Sequence, residues 1–348
     1  MIERRTLVAW VATLVFGVGG GWSCTLLHVP LPWMIGPLLV TAGGRLLELP
    51  LRVPPGTRNA GQWVIGLALG LYFTPQVAAQ LGELLPAILA GALAALAAGA
   101  TGGHLLRQLS RQDPATAYFA AMPGGASEMA NLAEQHGARI DLVAAAHGLR
   151  VMIVVILIPS VYVLLDLHGS DQYQQAAQTV HWPGLGALAL LGAVGAVVWR
   201  RLRQPNAWII GPLLITAIVT ASGNAWSALP SPISAAGQLF IGCSLGTSFS
   251  RRFLTDAPRF LLGSLAITGF LLLVMAAFGG LLAWAANLWT PSVILGLAPG
   301  GIAEMCITAK VLQLGVPVVT AFHVVRSIAV VTLCGPLFRW LQTRGTAR

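Results

Sequence analysis

Two glutamates, two histidines and two arginines are the residues of this chain whose types and spacing could do chemistry. Glu128 and Glu304 each follow a Pro-Gly-Gly, in Pro123-Gly124-Gly125-Ala126-Ser127-Glu128-Met129 and Pro299-Gly300-Gly301-Ile302-Ala303-Glu304-Met305. His147 and Arg150 are three residues apart, as are His323 and Arg326, so each pair shares one face of a helix. A glutamate in the first turn of a helix can simply cap it. In an apolar membrane setting an ionised side chain costs at least ~2.5–3.5 kcal/mol, and such residues mark ion or substrate paths. The same carboxylate stands in both places, so Glu128 and Glu304 are the candidates for proton or ion coupling, with His147 and His323 as second titratable groups. Arg150 and Arg326 have two readings. They are snorkelling residues salt-bridged to the glutamates, or guanidiniums that anchor a substrate carboxylate or phosphate by two parallel hydrogen bonds.

The surrounding composition is that of a membrane protein. Of 348 residues, 56% are hydrophobic and 9% charged, against about 25% charged in a soluble domain. Mean hydropathy is +0.77. Several apolar runs reach the roughly 20 residues that span a bilayer. The formal charge of +9 does not indicate nucleic acid, because the basic residues sit in short clusters between apolar runs, such as Arg200-Arg201-Leu202-Arg203 and Arg251-Arg252. That is the pattern of cytoplasmic loops, and no direct nucleic-acid partner is expected. Cys24, Cys243, Cys306 and Cys334 form no CxxC pair and read as packing residues. The run from Arg5 to about Leu27 lacks a small-x-small cleavage site and reads as a retained first span.

The elements that must position the site occur twice. Trp33-Met34-Ile35-Gly36-Pro37-Leu38-Leu39 returns as Trp208-Ile209-Ile210-Gly211-Pro212-Leu213-Leu214, and Gly61-Gln62 with Gly66 and Gly70 returns as Gly237-Gln238 with Gly242 and Gly246. The offset is 175 in the first block and 176 in the others. The charges between apolar segments do not repeat. Copy one has Arg45, Arg52, Arg58, Arg107 and Arg111 after its second and fourth segments; copy two has Arg200, Arg201, Arg203, Arg251, Arg252 and Arg259 after its first and third. Under the positive-inside rule this antisymmetry predicts two copies in opposite orientations.

The expected architecture is therefore an all-α polytopic membrane protein of two inverted repeats, 1–165 and 182–348, joined by an extracytoplasmic linker, 166–181, that carries Asp166 and Asp171. Each repeat is expected to have about five transmembrane helices and one broken or re-entrant Pro-Gly-Gly segment. Both termini then face the cytoplasm of a bacterial-type inner membrane.

Interrupted helices in inverted repeats are the architecture of secondary transporters, with sites near the midplane. Gly124, Gly125, Gly300 and Gly301 would let the backbone leave the helix and open a half-helix N-terminus toward an anionic substrate. Gln62 and Gln238 precede GxxxG patterns that pack helices closely; they complete the site or hold helices together.

With these motifs the chain resembles the AbrB membrane protein family across essentially its whole length, most specifically in the two W-x-I-G-P-L-L and two P-G-G-x-x-E-M blocks. Members of that family carry labels of ammonia monooxygenase or of regulator of gene expression. An oxygenase metal site needs clustered His and carboxylate ligands, and the seven histidines here show no HxH or HxxxH pairing. The expected function is a proton- or cation-coupled transporter of a small anionic metabolite, without cofactor or metal. The alternatives are a non-transporting membrane sensor that affects gene expression indirectly and, third, a metal-dependent monooxygenase. A homodimer is expected by analogy with such folds.

Overall fold

A computed structural model describes residues 4–169, 173–249 and 257–345, and all regular structure among them is helical. The first half contains α1 (Arg4–Leu26), α2 (Pro32–Leu46), α3 (Thr57–Gly70), α4 (Pro75–Glu83), α5 (Leu85–Ser110), α6 (Pro114–Ala121), α7 (Ala126–Gln135) and α8 (Ile140–Leu164). The second contains α9 (Trp182–Arg201), α10 (Ala207–Ala221), α11 (Ser231–Thr247), α12 (Pro258–Ala285), α13 (Thr290–Leu297), α14 (Ile302–Val311) and α15 (Val316–Gly345). Arg251, Arg252, Asp171, the first three residues and the last three lie outside the described residues.

Six helices, α1, α5, α8, α9, α12 and α15, are long and apolar enough to cross a membrane, by length and composition. The chain is thus a helical protein of multi-pass membrane type. Helices α2, α3, α10 and α11 have 15, 14, 15 and 17 residues. At 1.5 Å per residue these are about 21–26 Å long, short of the ~30 Å hydrocarbon core. The stretch near 60–80, which reads in sequence as one apolar segment, is two helices: α3 and α4 meet at 92°. Pro75 supplies the reason, since it opens a new helix at its first position, and the Val77 amide donates to the Thr74 hydroxyl at 3.4 Å.

The chain forms two compact units, each drawing on both halves of the sequence. The first is Met1–Gly82, Val155–Thr255 and Cys306–Pro317; the second is Glu83–Val154, Asp256–Met305 and Val318–Arg348. Within the first unit the packing is reciprocal. Helix α1 packs on α2 and α9 on α10, while α11 packs on α2 and α10 on α3. The crossings are close because glycines carry them. A Cβ on Gly242 would stand 2.5 Å from the Met34 carbonyl oxygen, and one on Gly70 would stand 2.7 Å from that of Leu213. Within the second unit α5 packs on α6 and α12, and α12 on α13.

Backbone torsions recur at the spacing of the sequence repeat. His28 and Arg203, Leu31 and Asn206, Arg111 and Asn287, and Gly137 and Gln313 all have positive φ, at offsets of 175 or 176. Non-glycine residues rarely adopt this region, so matched pairs reflect matched turns.

Candidate functional site

The candidate residues other than the glutamines belong to the second unit. Its two broken helices are built alike. Asp113 caps the start of α6, accepting from the Thr116 amide at 2.8 Å. The helix then stops where Met122 turns extended (φ −58, ψ 132), and α13 stops where Ala298 does the same (φ −55, ψ 138). Both residues precede a proline, which bars the helical conformation for the residue before it. The proline therefore ends each half-helix. The glycines serve another purpose: Gly125 has φ −69 and ψ 143, which any residue can adopt. Gly124 and Gly300 are needed for space. A Cβ on Gly124 would lie 2.8 Å from Met129, and one on Gly300 would lie 2.8 Å from Met305 and 2.9 Å from Val154.

The arginines close the C-terminal ends of the first half-helices. Arg150 is 3% exposed and donates to the carbonyls of Ala121 at 3.2 Å and Met122 at 2.9 Å. Arg326, equally buried, donates to the carbonyls of Ala298 and of Gly300, the latter at 2.7 Å. Ala121, Met122 and Ala298 stand at the C-terminal ends of α6 and α13, the negative ends of their dipoles, where Met122 and Ala298 also accept from the amides of Gly124 and Gly300; Gly300 lies in the break itself. A permanently charged guanidinium with five donors suits several such carbonyls at once.

Each arginine is oriented by its histidine. Arg150 donates to His147 Nδ1 at 2.7 Å, and Arg326 to His323 Nδ1 at 2.9 Å. A guanidinium only donates, so Nδ1 accepts and Nε2 carries the ring proton. That proton goes to the Phe119 carbonyl at 2.9 Å in one copy and to the Leu295 carbonyl at 3.1 Å in the other. Both ring nitrogens are engaged and both rings are wholly buried. Two buried arginine side chains are thus held inside the unit by carbonyl oxygens.

The glutamates stand at the opposite helix ends. Glu128 lies in the first turn of α7 and is half-buried; Glu304 lies in the first turn of α14 and is 3% exposed. The Glu304 carboxylate is folded back over Gly301, where a Cβ would collide with it. Each break thus has a cation at the C-terminal end of one half-helix and a carboxylate at the N-terminal end of the next, the arrangement that both dipoles favour. A cavity beside Arg150, lined also by Ser264 and Thr268, has about 10 Å³ for a water centre. That is room for about one water and too little for an organic anion.

Gln62 and Gln238 are half-buried and belong to the first unit, next to Gly61 and Gly237, where a Cβ on Gly61 would come within 2.6 Å of the Gly237 carbonyl. Sequence reasoning missed the backbone carbonyls of residues 119, 121, 122, 295, 298 and 300 as the partners of His and Arg. The signal was present in the prolines, which fix where helix-end carbonyls are left open, upstream of a repeated His-x-x-Arg. Among the described residues no three of His, Cys, Asp and Glu gather as a metal ion requires.

The protein YhjN of Bacillus subtilis (strain 168), itself described as uncharacterized, is 25% identical over 358 residues, covering 94% of this chain and 92% of its own. A protein of Escherichia coli (strain K12), provisionally named regulator AbrB, is 25% identical over 327 residues, covering 92% of this chain and 93% of its own. The family model described as transition state regulatory protein AbrB matches residues 33–342. With most of its length matched, the chain belongs to the AbrB family.

Proposed function

We propose that this protein is a secondary transporter of the inner membrane, coupled to a proton or another cation, that moves a small anionic metabolite. One observation carries the reading. At both Pro-Gly-Gly breaks a buried arginine neutralises the end of one half-helix and a glutamate neutralises the start of the next.

The chemistry follows from that pairing. Ionised, the Glu304 carboxylate lies over Gly301 and occupies the positive end of α14. Protonated, it no longer neutralises that end, and a substrate carboxylate or phosphate takes its place. Glu128 does the same at α7. Proton and anion are then bound together, and the loaded site carries no added charge. Arg150 and Arg326, oriented by His147 and His323, keep the half-helix ends in place while the charge opposite them alternates. Gly124, Gly125, Gly300 and Gly301 leave the backbone open to the substrate. Gln62 and Gln238 are assigned to helix packing.

Three features support two inverted repeats, 1–165 and 182–348, with α6–α7 and α13–α14 as their broken or re-entrant segments. They are the matched sequence blocks, the recurring positive-φ turns and the reciprocal glycine crossings. Antisymmetric basic loops support a linker 166–181 outside and both termini inside.

The relative named as a regulator supports a second reading, a ligand sensor that does not transport. Proteoliposomes separate the two. Proton uptake driven by one class of small organic acid supports transport, and ligand binding without flux across a broad panel supports the sensor.

A further inference from the structure

Within the second unit, the C-terminal ends of α5 and α15 and the start of α6 enclose an open crevice of about 910 Å³. Its floor is apolar. Tyr118 and Phe338 are buried with ring centroids 4.9 Å apart, and Leu341 beside them is 38% exposed. Its rim carries one cation, the exposed Arg107 in the last turn of α5; the exposed His104 one turn before it is hydrogen-bonded through Nε2 to Gln108 at 3.0 Å. Helices α5 and α15 are of membrane-spanning length and hydropathy. Their ends therefore belong at the level of the lipid headgroups, where basic crevices between helices bind anionic lipid.

An apolar trough with a cation at one end matches an anionic amphiphile better than a soluble ion, which would have no use for the aromatic floor. It also matches poorly a zwitterionic lipid, whose own ammonium competes for the phosphate. The floor connects to the site already described. The Tyr118 hydroxyl donates to the Cys334 carbonyl at 3.0 Å, and Phe119 packs on Phe338 at 5.2 Å. Both aromatics stand on α6, the half-helix whose terminal carbonyls hold Arg150. We propose that this crevice binds an anionic phospholipid, its phosphate at Arg107 and His104 and one acyl chain along Tyr118, Phe338 and Leu341. The bound lipid fixes the position of α6. The proposal rests on membrane residence and holds whether or not the protein transports.

The test is native mass spectrometry of the full chain, delipidated in detergent and titrated with phosphatidylglycerol, with phosphatidylcholine, and with phosphatidylglycerol in excess inorganic phosphate. The expected result is retention of phosphatidylglycerol over phosphatidylcholine, unaffected by phosphate. Arg107→Gln should weaken it about fivefold, the factor for one basic residue at a membrane surface. Leu341→Glu, on an exposed position, should weaken it without touching the headgroup site. Equal retention of phosphatidylcholine, displacement by inorganic phosphate, or wild-type retention in both variants would each overturn the proposal.

Discussion

Arg150 donates to Nδ1 of His147 at 2.7 Å, which leaves the imidazole no free nitrogen, because Nε2 is bound to the Phe119 carbonyl at 2.9 Å. His323 and Arg326 repeat the relationship on the Leu295 carbonyl. The histidine is thus a spacer between a guanidinium and a helix end. The proposed function therefore assigns proton exchange to the carboxylates at the other end of each break.

That assignment predicts a mild phenotype for His147→Gln and His323→Gln. Glutamine can accept from the guanidinium and donate to a carbonyl. Both variants should keep most of their coupled flux, with the pH profile of flux unchanged. A lost or shifted pH profile would make the histidines proton carriers.

The arginines should matter more for folding. Arg150→Met leaves the Ala121 carbonyl without its buried side-chain donor, while the Met122 carbonyl keeps only the Gly124 amide at 2.9 Å. An orphaned acceptor costs about 1–3 kcal/mol. Arg150→Lys keeps the charge as a compact point and reaches fewer acceptors. Denaturation in detergent should rank wild type above Lys and Lys above Met. Equal stability of all three would remove the helix-end role.

Glycine crossings give a third expectation. Gly61→Ala and Gly242→Ala place a methyl 2.6 and 2.5 Å from backbone oxygens, which cannot move aside as a flexible side chain would. Each should lose about 1–3 kcal/mol by overpacking. Gly43 lies inside α2 with nothing within 4 Å of an added Cβ. Gly43→Ala should gain roughly 0.5–1 kcal/mol. Thermal melting of the three variants checks the ordering.

The four cysteines are buried, so an added one can report sidedness. Gln178 is exposed in the linker. Gln178→Cys should react with a membrane-impermeant maleimide from the outside of intact cells. Protection there, with labelling only after the cells are opened, would end the inverted-repeat reading.

Much of this was legible in the chain. The prolines of the two Pro-Gly-Gly blocks mark where α6 and α13 end, because proline acts locally on its predecessor. The long apolar runs of the sequence at 140–165 and 259–284 fold as α8 and α12, since long apolar runs admit one reading. The partners of Arg150 and Arg326 were not legible as side chains, because they are backbone oxygens and any residue supplies one. The bend after Gly70 was hidden because apolar composition runs on to Ala79 while Pro75 restarts the helix. The compact units also escaped a linear reading, since reciprocal packing joins α3 to α10 and α2 to α11 across the sequence midpoint.

The most direct test of the account is substrate-driven proton movement in proteoliposomes, measured alongside labelled-substrate exchange, for wild type, Glu128→Gln and Glu304→Gln. A glutamine mimics the protonated carboxyl. The account predicts that each variant loses proton movement while still exchanging the anion, with the larger loss at the more deeply buried Glu304. Wild-type proton movement in either variant would contradict it.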